Sequence, residues 1–265
     1  NLGNLDAGDN VLLHITAEVK SLPLDTVITN MAVLEALDQV DLESGNDEDK
    51  VTFLLRENLT ISGTLTISDT WGPGAITVTG DVLIASGVVI TVAPQTMLQI
   101  ADVDGNNLGV DDQRIEFIVS DGAGFRLNGP TTFTSLASPA APADWYGIRY
   151  LNGSHGWVDE TTVEYGVHAL TLDTSNPITI SNSTIRNHRH ETSGGVLAYG
   201  AGVYIVQGDH VIDTTAIYNN VASADGTGQV RGAGVYIVNG APQIVNSWVY
   251  ENRASGNRAG AGGEA

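Results

Sequence analysis

A seven-residue motif occurs twice in this chain at a fixed separation. Gly200-Ala-Gly-Val-Tyr-Ile-Val206 returns as Gly232-Ala-Gly-Val-Tyr-Ile-Val238, an offset of 232 − 200 = 32 residues. The residues between keep the same register. Ile180, Ile212 and Ile244 align, then Asn182, Thr214 and Asn246, then Ile185, Ile217 and Val249, then His188, Asn220 and Asn252. A short β-branched run returning at a constant interval commits a chain to stacking, because one repeat alone cannot bury its apolar side. One step upstream, Val158-Asp-Glu-Thr-Thr-Val-Glu-Tyr-Gly166 aligns with Ile180-Ser-Asn-Ser-Thr-Ile-Arg-Asn-His188 at an offset of 180 − 158 = 22. The basic unit is therefore a coil of 22 residues, and the longer copies carry about ten more, His190–Leu197 and Ala222–Gln229. These Gly-, Ser- and Ala-rich additions are expected to project into solvent from one corner of the coil.

Helical periodicity is weak throughout. The best stretch, Met31–Gln39, alternates as well as it turns and is read as strand. Residues 1–56 differ from the rest and read as three strands, Val11–Val19, Thr26–Ala36 and Lys50–Arg56, with an acidic loop over Asp38–Asp49. Eleven Lys and Arg face 31 Asp and Glu, a net charge of −20. That balance leaves no basic stripe for nucleic acid and none for anionic lipid. Without cysteine there is no disulfide or thiol chemistry. No apolar run reaches transmembrane length, so no membrane insertion is expected of this chain. It starts at Asn1 without Met, and Ala259-Gly-Ala-Gly-Gly-Glu-Ala265 reads as the start of another coil. The expectation is an excised piece whose parent runs on past residue 265.

Two resemblances add to this reading. Leu5-Asp-Ala-Gly-Asp9, Val27-Ile-Thr-Asn-Met-Ala-Val33 and Gly45-Asn-Asp-Glu-Asp-Lys-Val-Thr-Phe53 resemble a β-sandwich repeat of bacterial surface proteins, domain of unknown function number eleven. Only the C-terminal half of that module is covered, which implies that its front strands were left outside this chain or are supplied by another chain. Trp71-Gly-Pro-Gly-Ala-Ile-Thr-Val-Thr-Gly-Asp-Val-Leu-Ile-Ala-Ser-Gly-Val-Val-Ile-Thr-Val-Ala-Pro94 resembles the opening coil of bacterial right-handed parallel β-helix proteins of pectate-lyase-like fold. Pro130-Thr-Thr-Phe-Thr-Ser135 and Trp145-Tyr-Gly-Ile-Arg-Tyr150 resemble their next coils, and Leu59–Asp69 is expected to cap or start the stack. The Gly–Ala-rich coils with Ile217-Tyr-Asn-Asn220 resemble polymorphic outer-membrane and autotransporter passengers. The resemblance implies an all-β chain: a partial Ig-like β-sandwich over 1–56, then a right-handed parallel β-helix, a solenoid, over 57–265.

In such a stack equivalent residues stand about 4.8 Å apart in columns. Ile148, Val167, Val203 and Val235 are expected to face inward. Arg149, His168, Tyr204 and Tyr236 are expected outside, as are Glu164, Arg186, Tyr218 and Tyr250, with Glu164 and Arg186 paired. Gly166, His188, Asn220 and Asn252 form a third outer column, its Asn side chains a hydrogen-bonded ladder, with His188 and His190 exposed to solvent. The tyrosines Tyr204, Tyr236, Tyr218 and Tyr250 are candidates for a glycan platform, since an aromatic face meets the apolar face of a sugar ring. Stacked tyrosines also serve the coil alone, and that reading is favoured. Asp102, Asp104, Asn106, Asp111 and Asp112 crowd one Gly-containing loop with hard oxygen donors and are candidates for Ca²⁺.

Pectate lyases and polygalacturonases share the implied fold and need clustered carboxylates. The candidates are Asp144, Asp159, Glu160, Glu164 and Asp173 with Arg149, but the positions stacked on Asp159, Glu160 and Glu164 are Ser181, Asn182 and Arg186. No carboxylate pair is built between those coils, so catalysis is not expected. The expected protein is a secreted, non-catalytic structural one at a bacterial or archaeal cell surface, a stalk or a filament subunit joined head to tail to copies of itself. A glycan-binding adhesin and a polysaccharide lyase or hydrolase are the alternatives.

Overall fold

A computed structural model describes residues 26–33, 48–55 and 59–259. Every regular element among them is a β-strand, and no helix among them is long and apolar enough to cross a membrane. The chain divides into two compact units, Asn1–Leu55 and Arg56–Ala265. In the first, Thr26–Val33 and Glu48–Leu55 pair antiparallel, with Thr26 opposite Leu55 and Val33 opposite Glu48. They are the second and third expected strands. The first, Val11–Val19, lies outside the described residues, as do residues 34–39 of the Met31–Gln39 stretch.

In the second unit all strand pairing is parallel, and each pass of chain lays strands on three faces in turn. Thr96–Ile100, Thr131–Ser135, Thr161–Glu164, Thr184–Arg186, Ala216–Tyr218 and Trp248–Tyr250 stack on the first face. Glu116–Val119, Gly147–Tyr150, Leu170–Asp173, Val203–Gln207 and Val235–Ile237 stack on the second. The third runs from Asp69–Trp71 through Val89–Val92, Gly124–Leu127, His155–Asp159, Thr179–Ser181 and Val211–Asp213 to Gln243–Val245. The earliest strands, Leu59–Leu65 and Gly74–Ile84, pair along both of the first two faces, so Leu59–Leu65 starts the stack. This arrangement is compatible with a β-helix-like solenoid.

Three apolar columns line the inside. Leu59, Ile76, Leu98, Phe133, Val163, Ile185, Ile217 and Val249 follow one another on the first face. Leu65, Ile84, Val119, Tyr150, Leu172, Ile205 and Ile237 do so on the second. Trp71, Val92, Leu127, Val158, Ile180, Ile212 and Ile244 complete the third. Midway along the stack these side chains are fully buried, each stabilising it by roughly 1.5–3 kcal/mol. Phe117, Phe125, Phe133 and Trp145 pack together in the interior edge to face and face to face, with centroids 5.4–6.4 Å apart.

The corners explain the polar part of the repeat. Glu160, Asn182, Thr214 and Asn246 turn one corner with φ of 44–50°, and Tyr165, Asn187, Asn219 and Glu251 turn the next with φ of 54–69°. Asn tolerates this left-handed conformation better than most residues, hence its recurrence there. The second glycine of each Gly-Ala-Gly has a different reason. A Cβ on Gly202 would stand 2.3 Å from the Gly234 carbonyl oxygen, and one on Gly234 would stand 2.7 Å from Asn252 Nδ2.

Three expectations change. Leu170, not Val167, lies between Ile148 and Val203, and Thr171, not His168, lies between Arg149 and Tyr204. Gly166 to Ala169 are spent on the corner before the strand begins, which sends His168 inward to 2 % exposure. His188 and Asn220 are likewise buried rather than outer, because they follow the left-handed residue and turn back onto the backbone. The added segments do not simply project. Arg189–Thr192, Ala198–Tyr199, Val221–Arg231 and Arg253–Ala259 form a separate parallel sheet, with Ala198, Ala222, Val230 and Ala233 as its own small core. Additions at one corner of successive passes meet each other and stack as the passes do.

Candidate functional site

The outer columns are continuous along the stack. Thr134 Oγ1 donates to Glu164 Oε1 at 2.9 Å, Arg186 Nε donates to Glu164 Oε2 at 2.8 Å, and Arg186 Nη1 donates to Tyr218 Oη at 3.1 Å. The expected Glu164–Arg186 pair is therefore present, with Tyr218 stacked on Tyr250 at 4.9 Å and 12°. On the second face Tyr204 lies over Tyr236 at 5.7 Å and 3°. Each ring stacked this way spends one face on its partner, and the Tyr218 and Tyr236 hydroxyls accept from Arg186 and Arg231. Tyr199, from the added sheet, closes on both, at 4.4 Å from Tyr204 and 5.9 Å from Tyr236. His168 and His190 lie behind it, 4.5 Å apart. Burial pushes the Tyr199 and Tyr204 hydroxyls up from their ordinary values.

The acidic loop wraps two carboxylates that the sequence reading passed over. Asp81 is buried and accepts from the backbone N–H of Leu108, Gly109 and Glu116 at 2.7–2.8 Å. Glu116 is buried too, accepting from Val110 N and Asp111 N and forming a 2.7 Å bridge to Arg149. Burial is the main reason that both acids have raised pKa values. A charged residue inside each apolar run, Gly80-Asp-Val-Leu-Ile84 and Ile115-Glu-Phe-Ile-Val119, was the available signal.

The five calcium candidates are spread along this loop. Asp104 Oδ1 accepts from Asp81 N and Asn106 N, Asp111 bridges to Arg114 at 2.9 Å, and Asp102 and Asp112 are exposed. Among the described residues no group of three or more His, Cys, Asp or Glu side chains could hold a metal ion. Asp104 Oδ2 and Asn106 Oδ1 are buried acceptors without a hydrogen-bond partner.

The catalytic candidates are individually engaged. Asp144 accepts from Ser135 Oγ and Ala141 N, Asp159 from Ser181 Oγ and Asn182 Nδ2, and Asp173 from Gln207 Nε2. Glu160 turns a corner. A hydroxyl ladder not anticipated from sequence runs beside these residues: Ser183, Thr215 and Ser247 accept from the backbone N–H of Thr161, Ser183 and Thr215. Its signal was there at the 32-residue interval of Thr215 and Ser247. The chain matches no family model, no curated protein and no solved structure.

Proposed function

We propose that this chain is a non-catalytic structural protein, a right-handed parallel β-helix that serves as a stalk or filament subunit outside the cell. Residues 1–56 form part of an Ig-like sandwich in this reading, and the partner is a second copy joined head to tail. One observation carries it: three apolar columns run unbroken from pass to pass through the described stack. A parallel stack can be lengthened by pairing a further strand onto its ladder, which suits head-to-tail association of copies. The engaged carboxylates support a structural role, and stacked tyrosine rings support a ladder over a sugar platform.

Sedimentation velocity over a wide concentration range tests this. The chain is expected to grow in size with concentration. A wild-type chain that sediments as a monomer throughout would retire head-to-tail assembly. Calcium enters the same reading at one point, the loop of Asp104 and Asn106, whose Oδ2 and Oδ1 lack a hydrogen-bond partner that Ca²⁺ would supply. Added CaCl₂ is then expected to raise the unfolding temperature of the wild type and not of Asp104→Asn. Equal behaviour of the two proteins would remove calcium from the account.

A further inference from the structure

At the corner after the first face, one side chain per pass takes an N–H from the previous pass and gives an N–H to a carbonyl. Asn252 Oδ1 accepts from Asn220 N at 3.1 Å while its Nδ2 donates to Ile217 O at 2.9 Å. Asn220 repeats this with His188 N at 3.1 Å and Ile185 O at 3.3 Å. His188 holds the same place one pass earlier: Nδ1 accepts from Gly166 N at 3.0 Å, and Nε2 lies 2.9 Å from Val163 O. A backbone N–H only donates, so Nδ1 carries no proton and the ring hydrogen sits on Nε2. The neutral imidazole thus copies the acceptor–donor pair of an asparagine amide. The amide keeps that role at any ordinary pH, whereas the imidazole titrates.

His210 makes a second such tie between the same two passes. Its Nδ1 accepts from Ile178 N at 3.1 Å, and its Nε2 lies 2.8 Å from Gln207 O. A third imidazole bridges them at the remaining side, His168 Nδ1 donating to Gly200 O at 2.8 Å. Between the passes Thr161–Ser181 and Thr184–Asp213, three histidines, all at most 2 % exposed, thus tie corners that the strand ladders leave between the faces. The next joint is made by Asn220 and Thr215, and the one after it by Asn252 and Ser247, with Ser183 serving beside the histidines at the first.

We propose that this histidine-tied joint is an acid-sensitive seam, at which protonation of His188 and His210 on Nδ1 releases the passes from Thr184 onward from those before them. An added proton on either ring points at a backbone N–H, so the tie is lost rather than weakened. The groups facing the rings do little to offset the charge. His168 faces His188, with His190 and Arg149 beyond it, all neutral or positive. Asn220, from the later pass, is neutral, and Glu164 is held by Arg186 and Thr134. At His210 the Gln207 carbonyl and then Asp209 favour a proton, and Asp209 is itself engaged by Ala241 N. Burial pushes His188 down to about 4 and His168 to about 3, and lowers His210. Each folded value lies below the ordinary 6.5, so the unfolded chain binds more protons. The stability is complete above pH 6.5 and is lost as pH falls towards 4.

Denaturant unfolding followed by circular dichroism from neutral pH to pH 4 reads this directly. Each histidine that takes up a proton on unfolding makes the folding constant fall by about tenfold per pH unit. His188→Asn, the residue that already serves at Asn220 and Asn252, is expected to fold and to lower that slope by one such factor. A His188→Asn protein with the wild-type slope would overturn the proposal. Should His188→Asn not fold, Asn220→His decides: a steeper slope supports the seam, and an unchanged slope overturns it.

Discussion

Ile212 and Ile244 occupy one column a single pass apart, yet the first is fully buried and the second is 41 % exposed. The same truncation must therefore cost different amounts. Ile212→Ala removes methyl groups from a closed interior and leaves a cavity, which costs about 2–5 kcal/mol. Ile244→Ala removes them from a partly wet surface and is expected to cost about 1 kcal/mol or less, by the smaller area withdrawn from water. Chemical denaturation checks the pair, and equal losses would mean that the two side chains do not differ in burial. At this scale the repeat was legible in the sequence wherever an invariant interval held. The alignments Ile180–Ile212–Ile244 and Glu164–Arg186–Tyr218–Tyr250 are the observed columns.

Elements were harder to read where the corners change length. Gly166 to Ala169 carry the same kinds of residue as a strand start, so apolar pattern alone shifted Val167 and His168 into the second face. Whether a polar side chain faces water or turns back onto backbone depends on φ at the preceding residue, and here that decided His188 and Asn220. The Asp81–Glu116 loop shows the same limit, because a carboxylate in an apolar run gives no hint of the amides that will meet it. Asp81→Ala would strand the N–H groups of Leu108, Gly109 and Glu116, at a cost of about 3 kcal/mol or more. Hydrogen exchange should then speed up across residues 104–116 before it does on the third face. Unchanged protection of that loop would show that Asp81 is not what holds it.

Over the whole molecule, stacking and charge oppose each other. Apolar columns favour adding another pass, while a net charge of −20 on each copy repels the next. Salt screens that repulsion over about 8–10 Å at physiological strength, so assembly is expected to lengthen as salt is added, unlike an association driven by ion pairs. The most direct measurement is negative-stain electron microscopy of the purified chain at physiological salt. Filaments of uniform width that shorten at low salt are expected. Single particles at every concentration and salt would contradict head-to-tail assembly.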